Sequence, residues 1–287
     1  MAQNIKIDSQ SSLGFDQDAY IVCRQVHKVY NANGKPLEAV RSVDFSVGDG
    51  EFVSLLGPSG CGKSTLLMMI GGLESITDGE IFAGGKPVTK PRREFGMMFQ
   101  DPTLLPWKSA LDNVMFPIDM MRLPRSRYLD RALELLETIG LGGFEKSKPR
   151  ELSGGMRQRV AICRALISDP RVLLMDEPFS ALDAMTRDEM NILLLGLWQT
   201  YKKTAIFVTH SIREAVLLSD RVLVMCDRPS TIISDTKIPF SRPRDIRLGE
   251  THEFNEICAM LLGKITAART NGDGEPPGEI VVGGAQS

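Results

Sequence analysis

Apolar residues fall into short runs along most of the chain, and the period of each run predicts its form. YIVCRQVHKVY (20–30) and EAVRSVDFSV (38–47) are rich in β-branched residues, and NANGKP between them supplies turn residues, so a hairpin is expected. EFVSLLG (51–57) reads as a buried strand entering a glycine-rich loop, with a helix at about 63–72 after it. GEIFAGG (79–85) and REFGMMFQ (93–100) read as further short strands. From 108 to 168 the period becomes helical. In SRYLDRALELLETIG (126–140), Leu129, Ala132, Leu133, Leu136 and Ile139 share one face, while Pro102, Pro106, Pro117 and Pro124 divide the region into short pieces. RVLLMDEP (171–178), a helix at about 185–201, TAIFVTH (204–210), a helix at about 211–218 and RVLVMCD (221–227) complete the pattern. Such alternation of strand and helix predicts an α/β fold with a mainly parallel sheet covered by helices. The pairs Met68–Met69, Met97–Met98 and Met120–Met121 read as gap-filling core residues.

Composition narrows the class. Of 287 residues, 43% are hydrophobic and 24% charged, as in ordinary globular proteins. A net charge of -2 gives no basic excess to displace phosphate counterions, so no nucleic-acid partner is expected. The five cysteines are scattered without a C-x-x-C pair, which indicates neither a zinc site nor a disulfide framework. No apolar run approaches a membrane span and no leader is visible, so the chain reads as cytosolic, held at any membrane by a partner. Residues 1–18 are polar and expected to be flexible, 19–267 form the folded unit, and the Gly- and Pro-rich 268–287 read as a disordered tail.

Candidate chemistry sits at strand ends. GPSGCGKS (57–64) fits the phosphate-loop pattern G-x-x-x-x-G-K-[ST], between a predicted strand and a predicted helix. Its glycines let successive backbone N–H groups surround a β-phosphate, Lys63 places a charge between β- and γ-phosphates, and the Ser64 hydroxyl suits Mg²⁺. Asp176 and Glu177 end the strand in VLLMDEP; the first fits a Mg²⁺ water shell and the second the attacking water. His210 closes another strand, where it can reach a γ-phosphate or be a plain surface residue. Gln100 can touch Mg²⁺ or be a solvated loop residue, and Tyr30 can stack on adenine or belong to the core. Leu105, Trp107, Met115 and Phe116 fit either core or a partner surface equally. A second phosphate-ready helix start follows in LSGGMRQR (152–159), before a predicted helix from Met156 to Ile167. One chain thus offers two phosphate sites.

In this order and spacing the motifs resemble those of the ATP-binding subunits of ABC transporters, over about 20–235. Tyr30 is similar to the aromatic A-loop, Gly57, Pro58, Ser59, Gly60, Cys61, Gly62, Lys63, Ser64 and Thr65 to the Walker A loop, and Gln100 to the Q-loop. LSGGMRQR resembles the ABC signature, residues 172–178 the Walker B segment, SALD (180–183) with Asp183 the D-loop, and His210 the H-loop. The resemblance implies a P-loop NTPase core of RecA-like type with an N-terminal antiparallel β-subdomain and an inserted helical subdomain at about 103–168. It implies ATP and Mg²⁺ as cofactors, with Glu177, His210 and Lys63 as catalytic groups and Ser64, Gln100 and Asp176 around the metal. It also answers the question of two phosphate sites: cassettes of the family pair head to tail, so Ser153, Gly154, Gly155 and Gln158 of one subunit cap the ATP held by the other. Implied partners are a second copy, transmembrane permease subunits at the cytoplasmic face of the membrane and, indirectly, a periplasmic or extracellular solute-binding protein.

DPTLLPWKSALDNV and DRPSTIISDTKIPFSRPRD resemble the nitrate/sulfonate/taurine importer branch. The alternatives are a different ABC importer or exporter, or a non-transport ABC ATPase. Repair ATPases of the family place a long coiled coil between Walker A and signature, which this chain lacks, and translation factors carry two cassettes. The stretch after His210 is too short for the regulatory domain that sugar-importer ATPases add. Cys61, beside Lys63 and the helix start, is expected to be the most readily alkylated thiol, protected by bound Mg-ATP.

Overall fold

A computed structural model of the chain describes residues 19–272, except 33 and 227. The expected flexible N-terminus and most of the expected tail lie outside the described residues. Two sheets organise the rest. The first is antiparallel, in the order β2 (Lys35–Gly48), β1 (Ala19–Ala32), β4 (Asp78–Ala83), β5 (Lys86–Pro87). The second runs β10 (Ile232–Lys237), β9 (Arg221–Met225), β3 (Phe52–Leu56), β8 (Thr204–Thr209), β7 (Val172–Asp176), β6 (Phe95–Met98). All its pairings are parallel except that of β10 with β9.

Strands β3, β7 and β8 are buried along their whole length, as parallel strands covered on both faces must be. Because side chains alternate, each strand serves two cores. Phe52, Leu173, Met175, Ala205, Phe207, Val222 and Val224 enter one core. Val53, Leu55, Val172, Leu174, Ile206, Val208, Leu223 and Met225 enter the other. The first core is closed by helices α2 (Ala110–Met120), α3 (Leu129–Thr138), α4 (Gly154–Leu166), α5 (Ala184–Tyr201), α6 (Ile212–Leu218) and α7 (His252–Gly272). The second is closed by α1 (Lys63–Ile70) and the antiparallel sheet.

Several expectations are corrected in detail. On α3 the buried stripe is Ala132, Leu135 and Leu136, continued by Ile139 just past its end, whereas Leu129 and Leu133 are 40% and 39% exposed. At about 100° per residue, Leu133 stands a quarter-turn round from Ala132, outside the contact. Pro117 does not divide its segment: α2 runs through it, because Ala110, Val114, Met115 and Ile118 bury a face that outweighs one lost backbone donor. Met69 and Met98 are core, as expected, but Met120 is 65% exposed. Met115 is fully buried and Trp107 is 69% exposed, so the segment after Gln100 splits between core and surface.

Candidate functional site

The carboxyl ends of β3, β8, β7 and β6 lie on one edge of the parallel sheet, the edge where α/β folds bind ligands. Residues 57–62 leave β3 there and turn into α1. Two glycines explain the loop's composition. A Cβ at Gly57 would stand 2.6 Å from the Met225 carbonyl oxygen. Gly62 has φ +104°, and a Cβ there would meet the Ala39 carbonyl and Ser230 Oγ at 2.9 Å each. Lys63 opens α1 and is 3% exposed; its Nζ donates to the carbonyls of Gly57 and Pro58 at 2.8 Å each. The loop thus curls around its own lysine.

Cys61 corrects an expectation. It is 1% exposed, and its Sγ would lie 3.1 Å from a Cβ at Gly57, so the thiol packs beneath the loop. The curl of the loop, in which Cys61 N donates to the Pro58 carbonyl at 3.4 Å, turns this side chain into the core. Burial, not the loop's electrostatics, sets its accessibility.

Strand β7 brings two acids to the same edge. Ser64 Oγ donates to Asp176 Oδ1 at 2.7 Å. Asp176 is buried, and burial, with Glu177 beside it, raises its pKa against the lowering effects of Ser64 and Lys63. Glu177 adopts φ +42°, a left-handed conformation that aims its carboxylate along the edge. Its Oε1 is 3.6 Å from Lys63 Nζ, and its Oε2 is 2.9 Å from His210 Nδ1 at the end of β8. Lysine, serine, two carboxylates and histidine, from three places in the sequence, therefore converge. A carboxylate and a hydroxyl 2.7 Å apart are hard oxygen donors of the kind Mg²⁺ takes, and a cation there would offset the cost of burying the Asp176 charge.

The second phosphate-ready site is a helix start as expected. Ser153 caps α4, its Oγ accepting from Met156 N at 3.2 Å. A Cβ at Gly154 would lie 3.7 Å from Leu182, and one at Gly155 would clash with Thr186 Cγ2 at 2.7 Å, so α4 begins tight against the segment that leads into α5. Gln158 turns inward: it is 2% exposed and its Nε2 donates to the Gln100 carbonyl at 2.9 Å. That bond ties α4 to the residues after β6 and places Gln158 apart from the outward-facing Ser153. The Gln100 side chain is exposed beside a cleft of about 650 Å³ that Asp101, Gly154, Arg157, Gln158, Asp176 and Leu182 also line. Asp183 caps α5, accepting from Thr186 N at 3.1 Å and Thr186 Oγ1 at 2.7 Å, bonds that hold its carboxyl below the usual range. Tyr30, near the end of β1, is half-buried.

Sequence reasoning missed the groups behind the site. Glu214 on α6 is buried and accepts from Thr209 Oγ1 at 2.6 Å, one residue before His210. Arg187 on α5 is 3.7 Å from Glu214 Oε1 and donates to the carbonyls of Phe179 and Leu182. A chain of contacts thus joins the residues around His210 to those before Asp183. The available signal was a Glu one helical turn after a strand-end His, but nothing local marks it as buried. Arg244, from the RPR stretch, is 8% exposed and donates to the carbonyls of Val216, Leu217 and Ser219, closing the last turn of α6.

A family model described as "ABC transporter" matches residues 40–180. An uncharacterised ABC transporter ATP-binding protein of Methanocaldococcus jannaschii is 46% identical over 82% of this chain and 88% of its own length. The aliphatic sulfonates import ATP-binding protein SsuB of Bacillus cereus is 42% identical, covering 83% and 92%. The taurine import ATP-binding protein TauB of Burkholderia thailandensis is 44% identical, covering 78% and 86%. Among solved structures, the ATP-binding cassette MJ0796, captured as a dimer after hydrolysis with ADP and Pi, superposes with a TM-score of 0.68 at 33% identity, covering 77% of this chain and all of that one. The fold, the strand-edge constellation and these relatives agree, and the chain belongs to the ABC transporter family as one of its ATP-binding, ATP-hydrolysing subunits.

Proposed function

We propose that this chain energises an importer of a small sulfonate, taurine or a related anion such as nitrate. It does so as one of two cassettes bound to permease subunits at the cytoplasmic face of the membrane. The observation that carries the catalytic part is the convergence of Lys63, Ser64, Asp176, Glu177 and His210 on one sheet edge. The loop 57–65 holds the β- and γ-phosphates through its backbone N–H groups and Lys63, whose ammonium leaves the Gly57 and Pro58 carbonyls for phosphate oxygens. Ser64 and Asp176, with Gln100 at the rim, hold Mg²⁺, which supplies charge neutralisation at the transferring phosphoryl group. Glu177 orients the water and accepts its proton, and His210 fixes the carboxylate and reaches the γ-phosphate.

Ser153, Gly154 and Gly155 meet the phosphates of the neighbouring subunit. The reading is supported by the dimeric relative and by the capped, glycine-rich start of α4. In an isologous pair each such start faces the other subunit's nucleotide. Trp107, 69% exposed just ahead of α2, offers an apolar contact for a permease helix. The sulfonate and taurine importers among the relatives support the solute class. Deletion of the gene, followed by growth on alkanesulfonate or taurine as sole sulfur source and nitrate as sole nitrogen source, tests it. Loss of growth on one of them is expected. Normal growth on all of them would remove the solute assignment.

A further inference from the structure

Strand β1 carries a buried lysine two residues before Tyr30. Lys28 is 6% exposed, and its ammonium is fully engaged. Nζ donates to Glu74 Oε1 at 2.7 Å, to the Ser75 carbonyl at 2.6 Å and to Ser75 Oγ at 3.3 Å. The same nitrogen lies 4.7 Å from the centroid of the Tyr30 ring. Residues two apart on a strand share a face, so this contact follows directly from the sequence K-V-Y. The Glu74 carboxyl is held below the usual range, chiefly by its bond from Lys28 and in smaller part by the Tyr30 hydroxyl. Lysine, glutamate and tyrosine therefore form one contact group.

The group is anchored to the phosphate loop. Glu74 and Ser75 follow α1, the helix that Lys63 opens, and Leu73 N and Glu74 N both donate to the Met68 carbonyl. The next residues stitch the turn to β1: Thr77 N donates to the His27 carbonyl at 2.8 Å, and Val29 N donates to Thr77 Oγ1 at 3.0 Å. A short, fully bonded path thus runs from Lys63 through α1 to the ring of Tyr30. Burying an ammonium is unfavourable unless it is compensated, and an apolar residue would pack β1 without that demand. A cation against one face of an aromatic ring fixes the ring's tilt and draws on its π-density, leaving the opposite face for a flat ligand.

We propose that Lys28 is a specificity-determining positioning residue: clamped by Glu74 and Ser75, it holds the Tyr30 ring from behind so that the base of a purine nucleotide stacks on the open face at a set distance from the phosphate loop. This rests on Tyr30 being the base platform and is independent of the phosphate chemistry. Its signature is a selective one. Lys28 acts on the base, so a ligand without a base should not sense it.

The test compares binding of Mg-ATP and of Mg-tripolyphosphate to the full chain by calorimetry. Lys28→Met is expected to weaken Mg-ATP about three- to thirtyfold, the range of a partly desolvated cation–π contact, and to leave tripolyphosphate within about twofold. Lys28→Met combined with Glu74→Gln leaves no lone carboxylate and should show the same selective loss. Lys28→Arg keeps a cation at the ring and should recover most of the affinity. In a Tyr30→Leu background, Lys28→Met should have no further effect on ATP. Equal loss of ATP and tripolyphosphate would overturn the proposal in favour of a purely structural role through α1. Wild-type ATP affinity in Lys28→Met, with weakened affinity in Tyr30→Leu, would overturn it while leaving the platform in place. If Tyr30→Leu itself binds ATP normally, the platform reading fails and the proposal with it.

Discussion

Replacing Glu177 by Gln isolates one function of the strand-edge constellation. The carboxylate has two neighbours, Lys63 Nζ at 3.6 Å and His210 Nδ1 at 2.9 Å, and neither contact needs it for folding because both partners sit on separately anchored elements. Gln preserves shape and the ability to accept a hydrogen bond from His210, but it cannot accept a proton from water. General-base assistance is worth about 10²–10⁴ in rate, or about 3–5 kcal/mol of barrier, so turnover should fall by at least about a hundredfold. Nucleotide affinity should move the other way. In the wild type the Glu177 charge competes with phosphate for Lys63; without it, Mg-ATP should bind as tightly as before or up to about tenfold more tightly. Single-turnover hydrolysis, calorimetric titration with Mg-ATP and light scattering together read the three consequences, the last expecting an accumulated ATP-bound dimer. Turnover within about threefold of wild type would remove Glu177 from the chemistry, and loss of ATP binding would make it a binding group instead. The backbone gives an independent check. At φ +42°, Glu177→Gly should be more stable than Glu177→Ala by about 1 kcal/mol, the left-handed penalty of a Cβ.

Three further outcomes follow from the surroundings of the site. Arg244→Met should destabilise the fold by about 3 kcal/mol, read as a lowered urea midpoint, because the carbonyls closing α6 lose a buried charged donor. Glu214 has a pKa raised chiefly by burial, against Thr209, Arg187 and His210, with Glu177 adding to the rise. The folded state therefore holds this proton more tightly than the unfolded one, so the associated stability is present below about pH 4.5 and is lost as pH climbs through the raised value. Glu214→Gln should flatten stability against pH in the window between about pH 4.5 and the raised value; an unchanged slope there would show that Glu214 does not titrate in the folded protein. Finally, iodoacetamide should label the half-buried Cys226 and Cys258 before the buried Cys23, Cys61 and Cys163, with burial holding the Cys23 and Cys163 thiols far above the ordinary range. Peptide mapping of the first modified thiol decides this, and early labelling of Cys61 would mean that its loop opens in solution.

Much of the architecture could be read from the residues because the decisive signals were local. Alternation and β-branching marked β1 and β2, and buried apolar runs marked β3, β7 and β8. The loop 57–65 announced itself through a glycine pattern with a strand before it and a helix after it. What stayed hidden depends on which way a side chain turns once distant segments meet. Cys61 looked like part of the phosphate surface, but the curl points it inward. Gln158 belongs to an outward-facing motif, yet it spends its amide on the Gln100 carbonyl. Leu133 fitted a helical stripe, but the packing partner lies a quarter-turn away, and a single helix cannot say which of two overlapping stripes is buried. The Thr209–Glu214–Arg187 contacts join three elements of ordinary sequence, and nothing in any one of them implies the others.

The parallel pairing of β7 with β8 sets Asp176 opposite Val208. Each reactive group is therefore placed by a count of residues along a strand whose neighbours fix its starting point. Inserting one residue within β7 would exchange its inward faces, sending Leu173 and Met175 toward the second core and carrying Asp176 and Glu177 one step past Ser64 and His210. No choice of side chain could repair that. These strands can drift in composition, Val for Ile or Leu for Met, but not in length, whereas an exposed turn such as Gly84–Gly85 between β4 and β5 positions no reactive group and can tolerate a change of length. Variation among cassettes built this way should accordingly be written as substitutions in the sheet and as insertions in the segments around it.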